Sequence, residues 1–264
     1  MIRVLVNGAL GRMGREVLRA VSADAELELT GAVDIATKGE RVADVINVKS
    51  DVKVEKDLIT ALGKHKPDVV VDFTRPAVVM NSLRLILGKG IRAVVGTTGF
   101  TKSDLDELKK ISKTNATAVL IAPNFSIGAN LMMRLAEEAV KFLPKAEIIE
   151  LHHDNKLDAP SGTSVLTAER LVKARGGYIQ QGHPDEEEKF AGARGAEFKG
   201  IRVHSVRLPG YVAHQEVIFG GLGESLIIRH DSNSRECFMP GVLLACKQLP
   251  KRSGLIYGLD KLLK

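Results

Sequence analysis

Residues Ile2–Gly14 read I-R-V-L-V-N-G-A-L-G-R-M-G, an apolar run that passes directly into glycines at positions 8, 11 and 14. Ile2–Val6 has the composition of a buried strand, and Met13, Val17, Leu18 and Val21 recur at helical spacing, so the stretch predicts strand, glycine turn, helix. In that setting glycine permits a tight turn and lets the main chain approach a pyrophosphate, whose charge meets N–H groups at the positive helix end. Gly8, Ala9, Leu10, Gly11, Arg12 and Met13 are therefore candidate dinucleotide contacts. A turn that merely joins strand to helix would look similar, but a second strand-like run, Leu27–Val33, ends in Asp34, twenty residues past Gly14. An acidic side chain there can accept hydrogen bonds from the adenosine ribose hydroxyls.

The spacing is G-x-x-G-x-x-G rather than G-x-G-x-x-G, so context carries as much weight as pattern. Asp34 favours NAD, because a carboxylate repels the 2′-phosphate of NADP, and Ile35 follows where an arginine would favour NADP. Lys38 and Arg41 are close enough for a flexible loop to bring a cation back. NADH is expected to be used well, with NADPH left open.

Outward from this unit the pattern keeps alternating. Asp68–Asp72, Ala93–Val95 and Ala118–Ala122 read as strands, and Pro76–Leu87 and Lys102–Ser112 as helices, which together predict a Rossmann-type doubly wound parallel sheet. Ligands of such sheets sit beyond the carboxyl ends of the strands. That singles out Phe73-Thr74-Arg75-Pro76, then Gly96, Thr97 and Thr98, then Ala122, Pro123, Asn124 and Phe125, each segment being ordinary turn chemistry if taken alone. From Ala146 the texture changes. Ala146–His152, Ile201–Leu208, Tyr211–Phe219 and Glu224–His230 read as strands of a mixed, mainly antiparallel sheet, with a helix over Thr163–Arg175 closed by Gly176-Gly177. A helix over Val242–Gln248 and the apolar Leu255–Leu263 can return to the first domain. The expected division is residues 1–125 with 236–264 as the dinucleotide-binding domain, and 126–235 as an α+β substrate-binding and tetramerisation domain.

Composition removes other classes. At 264 residues and 44% hydrophobic the chain can bury real cores, and no apolar run is long enough to span a membrane. The N-terminus enters a strand with no leader pattern, so a cytoplasmic protein is expected. A net charge of +6 is compatible with nucleic acid, but the basic residues are scattered among acidic ones and aromatics are only 4%, so an anionic small molecule is the simpler partner. Asp185–Glu188 reads as a solvated loop. Cys237 and Cys246 lack metal or redox spacing and read as buried, reduced thiols.

The densest chemistry lies in Glu150–Thr163, E-L-H-H-D-N-K-L-D-A-P-S-G-T. Lys156 is cationic at neutral pH and can pair with a carboxylate or donate a proton beside His152 and His153. Adjacent side chains on a strand point to opposite faces, so both histidines can meet one ligand only if the strand ends or bulges between them. A strand end is predicted there. His-His-Asp has no third well-spaced ligand, and no metal is expected. Ser161 or Thr163 can cap the following helix, whose apolar positions include Val165, Leu166, Leu171 and Val172, while Gly162 offers backbone N–H groups to a carboxylate. Asp158 is assigned to loop structure or to orienting Lys156.

Together with Gly96–Phe100 (G-T-T-G-F), Ala122–Gly128 (A-P-N-F-S-I-G) and Val206–Gly223 with its A-H-Q-E-V-I-F-G-G run, these segments resemble the 4-hydroxy-tetrahydrodipicolinate reductase family, older name dihydrodipicolinate reductase. The likeness runs nearly end to end. It implies NAD(P)H-dependent reduction of a small ring dicarboxylate in the diaminopimelate route to lysine, with general acid work at His152 and Lys156 and substrate contacts at His153, Gly162 and Thr163. It also implies a homotetramer joined through the substrate-domain sheets. The expected course is that NAD(P)H binds the first domain, the second closes, and hydride reaches C4 of the conjugated ring. Another two-domain nicotinamide dehydrogenase for a small amino or keto acid would share the first domain, and a non-catalytic NAD(H)-sensing regulator would share the cofactor signal without needing the His152–Lys156 cluster.

Overall fold

The computed structural model describes residues 1–178 and 182–263, and these fall into two compact units, 1–127 with 235–263 and 128–234. In the first, β1 (Ile2–Asn7), β2 (Leu27–Val33), β3 (Val54–Glu55), β4 (Val69–Asp72), β5 (Arg92–Val95) and β6 (Ala118–Ile121) alternate with α1 (Arg12–Ala23), α2 (Val42–Ile46), α3 (Leu58–His65), α4 (Pro76–Gly88) and α5 (Lys102–Thr114). All pair in parallel. The central strands are near-continuous Val, Leu and Ile because both faces of a parallel sheet are covered: Val4, Leu5, Val6, Val69, Val70 and Val71 have no exposed surface.

Local chemistry sets the helix boundaries. Asp57 caps α3 by accepting from the Thr60 N–H, Thr101 and Asp104 form a reciprocal capping box on α5, and Pro76 stands at the start of α4, where its missing donor costs nothing. The first core face joins α1 to the sheet through Val17, Leu18 and Val21, and the second packs Leu83, Ile86, Leu87 and Leu108 from α4 and α5 on the other side.

The second unit contains α6 (Ile127–Ala139), which starts at the boundary, then β7 (Lys145–His152), α7 (Gly162–Ala174), β8 (Ala196–Phe198), β9 (Ile201–Arg207), β10 (Ala213–Gly221) and β11 (Glu224–Ser232). Its sheet runs β11-β10-β7-β9-β8, antiparallel except for the β7–β9 pair. The alternation of β7 turns Ala146, Ile148 and Glu150 inward, where Ala136 of α6, Val140 just past its end, and Ala168 and Leu171 of α7 meet the sheet. Val165, an expected core position, is instead exposed: the helix turns Ser164, Thr167, Ala168 and Leu171 to the sheet.

The chain then returns to the first unit. α8 (Met239–Gln248) packs beside α1, and β12 (Gly254–Tyr257) adds to β6, giving the seven-stranded order β12-β6-β5-β4-β1-β2-β3. Cys237 is half-buried in a short 3₁₀ turn, not fully buried as expected; Cys246 is buried, which pushes its thiol up to about 12, and neither forms a disulfide. The acidic loop at Asp185–Glu188 is exposed. No helix among the described residues is long and apolar enough to cross a membrane.

Candidate functional site

In the first unit the carboxyl ends of β1, β2, β4, β5 and β6 carry the predicted cofactor residues. Gly8 adopts φ +82°, and its N–H and that of Ala9 both donate to the Val33 carbonyl, 2.9 and 3.0 Å, which ties the glycine turn to the end of β2. Gly14 lets α1 sit on that turn: a Cβ there would lie 2.0 Å from the Gly8 carbonyl oxygen. Gly11 caps α1 without a side chain, and the first turn holds no acidic residue, so the N–H groups of Arg12 and Met13 are presented at an uncapped, exposed helix end. These features fit a dinucleotide phosphate.

Asp34 follows β2 directly. One of its oxygens accepts from the Leu10 N–H (2.9 Å) and the other from the Ala36 N–H (2.9 Å), so the carboxylate shapes the glycine turn. Each oxygen keeps a second lone pair for a hydroxyl. Lys38 is exposed and Arg41 pairs with Asp44 at 3.5 Å.

The other strand-end loops are wired to one another. Gly96 is pressed against the Phe73 ring, where a Cβ would lie 2.0 Å from the nearest ring carbon, and Phe73 packs on Phe125 at 5.7 Å between ring centres. The Thr97 hydroxyl donates to the Thr74 carbonyl (3.2 Å), the Ala122 N–H donates to the Val95 carbonyl (3.0 Å), and Asn124 accepts from the Ser126 N–H (2.8 Å). Thr98 and Pro123 are exposed at the rim. Two residues passed over in the sequence reading hold this arrangement. Asp72 is fully buried, which raises its carboxyl pKa, and it accepts from the Thr74 N–H and hydroxyl and from the Asn7 amide (2.9, 2.6 and 2.7 Å). Their signal is a polar residue ending an apolar strand.

In the second unit β7 ends at His152, so His153 stands outside the strand, as the two-face argument requires. The His153 carbonyl accepts the Lys156 N–H at 3.2 Å, closing a turn just past the strand end. The Lys156 ammonium donates to Asp158 at 2.6 Å. Ser161 caps α7 by accepting from the Ser164 N–H, and no atom lies within 4 Å of where a Cβ on Gly162 would be, so space is open at the helix start. The Thr163 carbonyl accepts from the Thr167 hydroxyl (2.8 Å).

Beneath these residues is a buried anion. Glu150 and His152 share a face of β7, and the Glu150 carboxylate, with no exposed side-chain surface, bonds the His152 Nδ1. Arg207, the register partner of His152 on β9, grips the same carboxylate with both terminal nitrogens (2.9 and 2.7 Å) and also donates to the Asp158 carbonyl (2.8 Å). The Ser161 N–H adds a further contact at 3.3 Å. Burial alone would raise this carboxyl; hydrogen bonds from His152, Arg207 and Ser205 overcome burial and hold it down at about 2. On the β10 side Gln215, register partner of Glu150, accepts from the Ser164 hydroxyl (2.7 Å) and donates to Thr167 (2.8 Å), pinning α7 to the sheet.

A depressed carboxyl stabilises the fold above its unfolded value, near 4.5, and that contribution disappears as pH falls toward 2. The Glu150 term is expected to be about 3 kcal/mol. Thermal melts from neutral pH to about pH 3 should therefore show a steeper loss of Tm below pH 4.5 in the native chain than in Glu150→Gln; parallel curves would refute it.

Two family models account for almost the whole chain: "Dihydrodipicolinate reductase, N-terminus" matches residues 2–125, and "Dihydrodipicolinate reductase, C-terminus" matches residues 128–263. The chain belongs to the dihydrodipicolinate reductase family. Relatives within it include the 4-hydroxy-tetrahydrodipicolinate reductase of Syntrophomonas wolfei, 51% identical and aligned over 99% of this chain and 98% of the relative. That of Listeria monocytogenes is 51% identical, over 99% and 100%. Among solved structures, a dipicolinate-bound dihydrodipicolinate reductase from Paenisporosarcina sp. TG-14 superposes with a TM-score of 0.88 at 41% identity, covering 99% of both chains. An amine dehydrogenase from Mycobacterium smegmatis, 14% identical with a TM-score of 0.69 and covering 98% and 95%, shares the fold alone. The family implies a nicotinamide cofactor for this reductase, in keeping with the uncapped start of α1.

Proposed function

We propose that the chain reduces 4-hydroxy-tetrahydrodipicolinate, by way of dihydrodipicolinate, to tetrahydrodipicolinate in the diaminopimelate route to lysine. The observation that carries this reading is the Glu150–His152–Arg207 cluster beside Lys156 and the open start of α7: a proton donor and carboxylate-binding groups in one place. A regulator that only sensed NAD(H) would have no use for it.

Nicotinamide, when bound, supplies a hydride. The substrate-side work falls to the chain's own groups. Lys156, His153 and the N–H groups of Gly162 and Thr163 hold the two carboxylates, with the α7 dipole adding roughly 0.3–2 kcal/mol before hydrogen bonds are counted. Hydride addition at C4 of the conjugated C=C–C=N unit leaves an aza-enolate anion, and His152 or Lys156 gives a proton to the carbon between C4 and the former imine carbon, restoring the C=N bond. Gly8 to Met13, Asp34, Gly96 to Thr98 and Ala122 to Phe125 line the cofactor. Asp34 without an adjacent arginine supports NADH as the preferred donor, with NADPH accepted. A homotetramer joined through the second sheet is supported by the edge strand β11, which exposes Leu226 and Ile227 at 40% and 55%. Two cysteines that form no disulfide, together with the cofactor, suit the cytoplasm.

The test is NADH oxidation with the product of the preceding synthase as substrate, run in parallel with NADPH. Turnover is expected with both, faster at low concentration with NADH. Binding of NADH without turnover would overturn the reading, and a clear NADPH preference would overturn the role given to Asp34.

A further inference from the structure

Glu150 is the most constrained charge in the second unit. Four N–H groups from three residues converge on it: the His152 ring on its own strand, the two arms of Arg207 on β9, and the Ser161 main chain at the start of α7. If its task were only to join β7 to β9, the paired fork of Arg207 would suffice. The remaining contacts fall on the proposed proton donor and on the turn that begins the carboxylate-binding helix.

We infer that Glu150 is a positioning residue for proton transfer: it fixes the neutral His152 ring as the Nδ1–H tautomer, so that Nε2 alone exchanges a proton with the substrate. An ionised carboxylate can only accept, so the ring nitrogen facing it must carry hydrogen. The opposite nitrogen then has the lone pair that takes a proton from solvent and delivers it to the ring carbon. Because the same carboxylate receives Ser161, and Arg207 holds the Asp158 carbonyl, the donor and the segment bearing Lys156 and Gly162 keep one geometry. This inference rests on the reductase reading for its substrate but not for its tautomer.

The experiment compares native protein with Glu150→Gln and Glu150→Asp. Ring nitrogen NMR of histidine-labelled protein, with His152 assigned by the signal missing in His152→Gln, should show Nδ1–H in the native chain and a mixture of tautomers in Glu150→Gln. The Gln variant should lose about 10- to 100-fold in kcat, the usual cost of removing an outer partner of a working histidine, with KM and NADH affinity changing far less. Glu150→Asp, which keeps the charge, should keep the tautomer and recover part of the rate. Native His152 carrying its proton on Nε2 would overturn the inference without any variant. Native kcat in Glu150→Gln would also overturn it, as would equal losses in kcat and NADH affinity, which report structural collapse. An Nδ1–H ring in a chain inactive on the dihydrodipicolinate precursor would instead sink the proposed reaction and leave the positioning intact.

Discussion

Replacing His152 by alanine is expected to lower kcat by roughly 10²–10⁴-fold while NADH binds as in the native chain, the range for removing a positioned proton donor. The fold should survive, because Glu150 keeps the Arg207 fork and the Ser161 N–H when the imidazole is gone. Lys156→Ala separates the two candidate donors. If the ammonium only grips a carboxylate, its loss raises KM with a smaller fall in kcat; if it delivers the proton, the pattern reverses. Steady-state kinetics on both variants, with NADH affinity from fluorescence titration, decides between them. Native turnover in His152→Ala would remove the imidazole from the mechanism.

Gly14→Ala should be among the most damaging single-methyl changes in the first unit. The added Cβ would sit 2.0 Å from the Gly8 carbonyl oxygen and 2.9 Å from two Ala9 backbone atoms, and main-chain atoms cannot rotate away as a side chain could. α1 must therefore back off the glycine turn, costing about 2–4 kcal/mol and lowering Tm by roughly 5–15 °C. The same shift displaces the N–H groups at the uncapped start of α1, so NADH affinity should fall at least about tenfold if their dipole and hydrogen bonds hold the pyrophosphate. Gly63→Ala is the control. Nothing lies within 4 Å of its Cβ position inside α3, and the change should stabilise by about 0.5–1 kcal/mol. Equal melting of Gly14→Ala and native protein would show that the turn and helix are not in the close contact described.

Sequence legibility followed the strength of local signals. β1, β2 and the helices after β4 and β5 were readable because their apolar periods are long and flanked by glycine, proline or capping residues. α2, β3 and β8 were not: five, two and three residues offer too little period, and β3 exists only as a partner of β2. α6 escaped because Leu131 and Leu135 are exposed at 42% and 56%, so apolar residues run around the helix rather than along one face. At the candidate site, the strand end at His152 and the Ser161 cap follow from neighbours in sequence. Glu150 and Arg207 do not, since 57 residues separate them. Asp72 and Asn7, separated by 65, were hidden for the same reason.

What the chain's order of residues determined by itself was the strand–turn–helix, the change from parallel to mainly antiparallel texture, and the strand end and helix cap that bracket Glu150–Thr163. Each depends on backbone angles or side-chain chemistry within a few residues. Only the tertiary structure decided that Glu150 would be an ionised hub rather than a surface carboxylate. The parallel pairing of β7 with β9 brings a distant arginine to the buried Glu150, and the charge can stay buried there because its fork, with the His152 ring and the Ser161 N–H, replaces the water it lost.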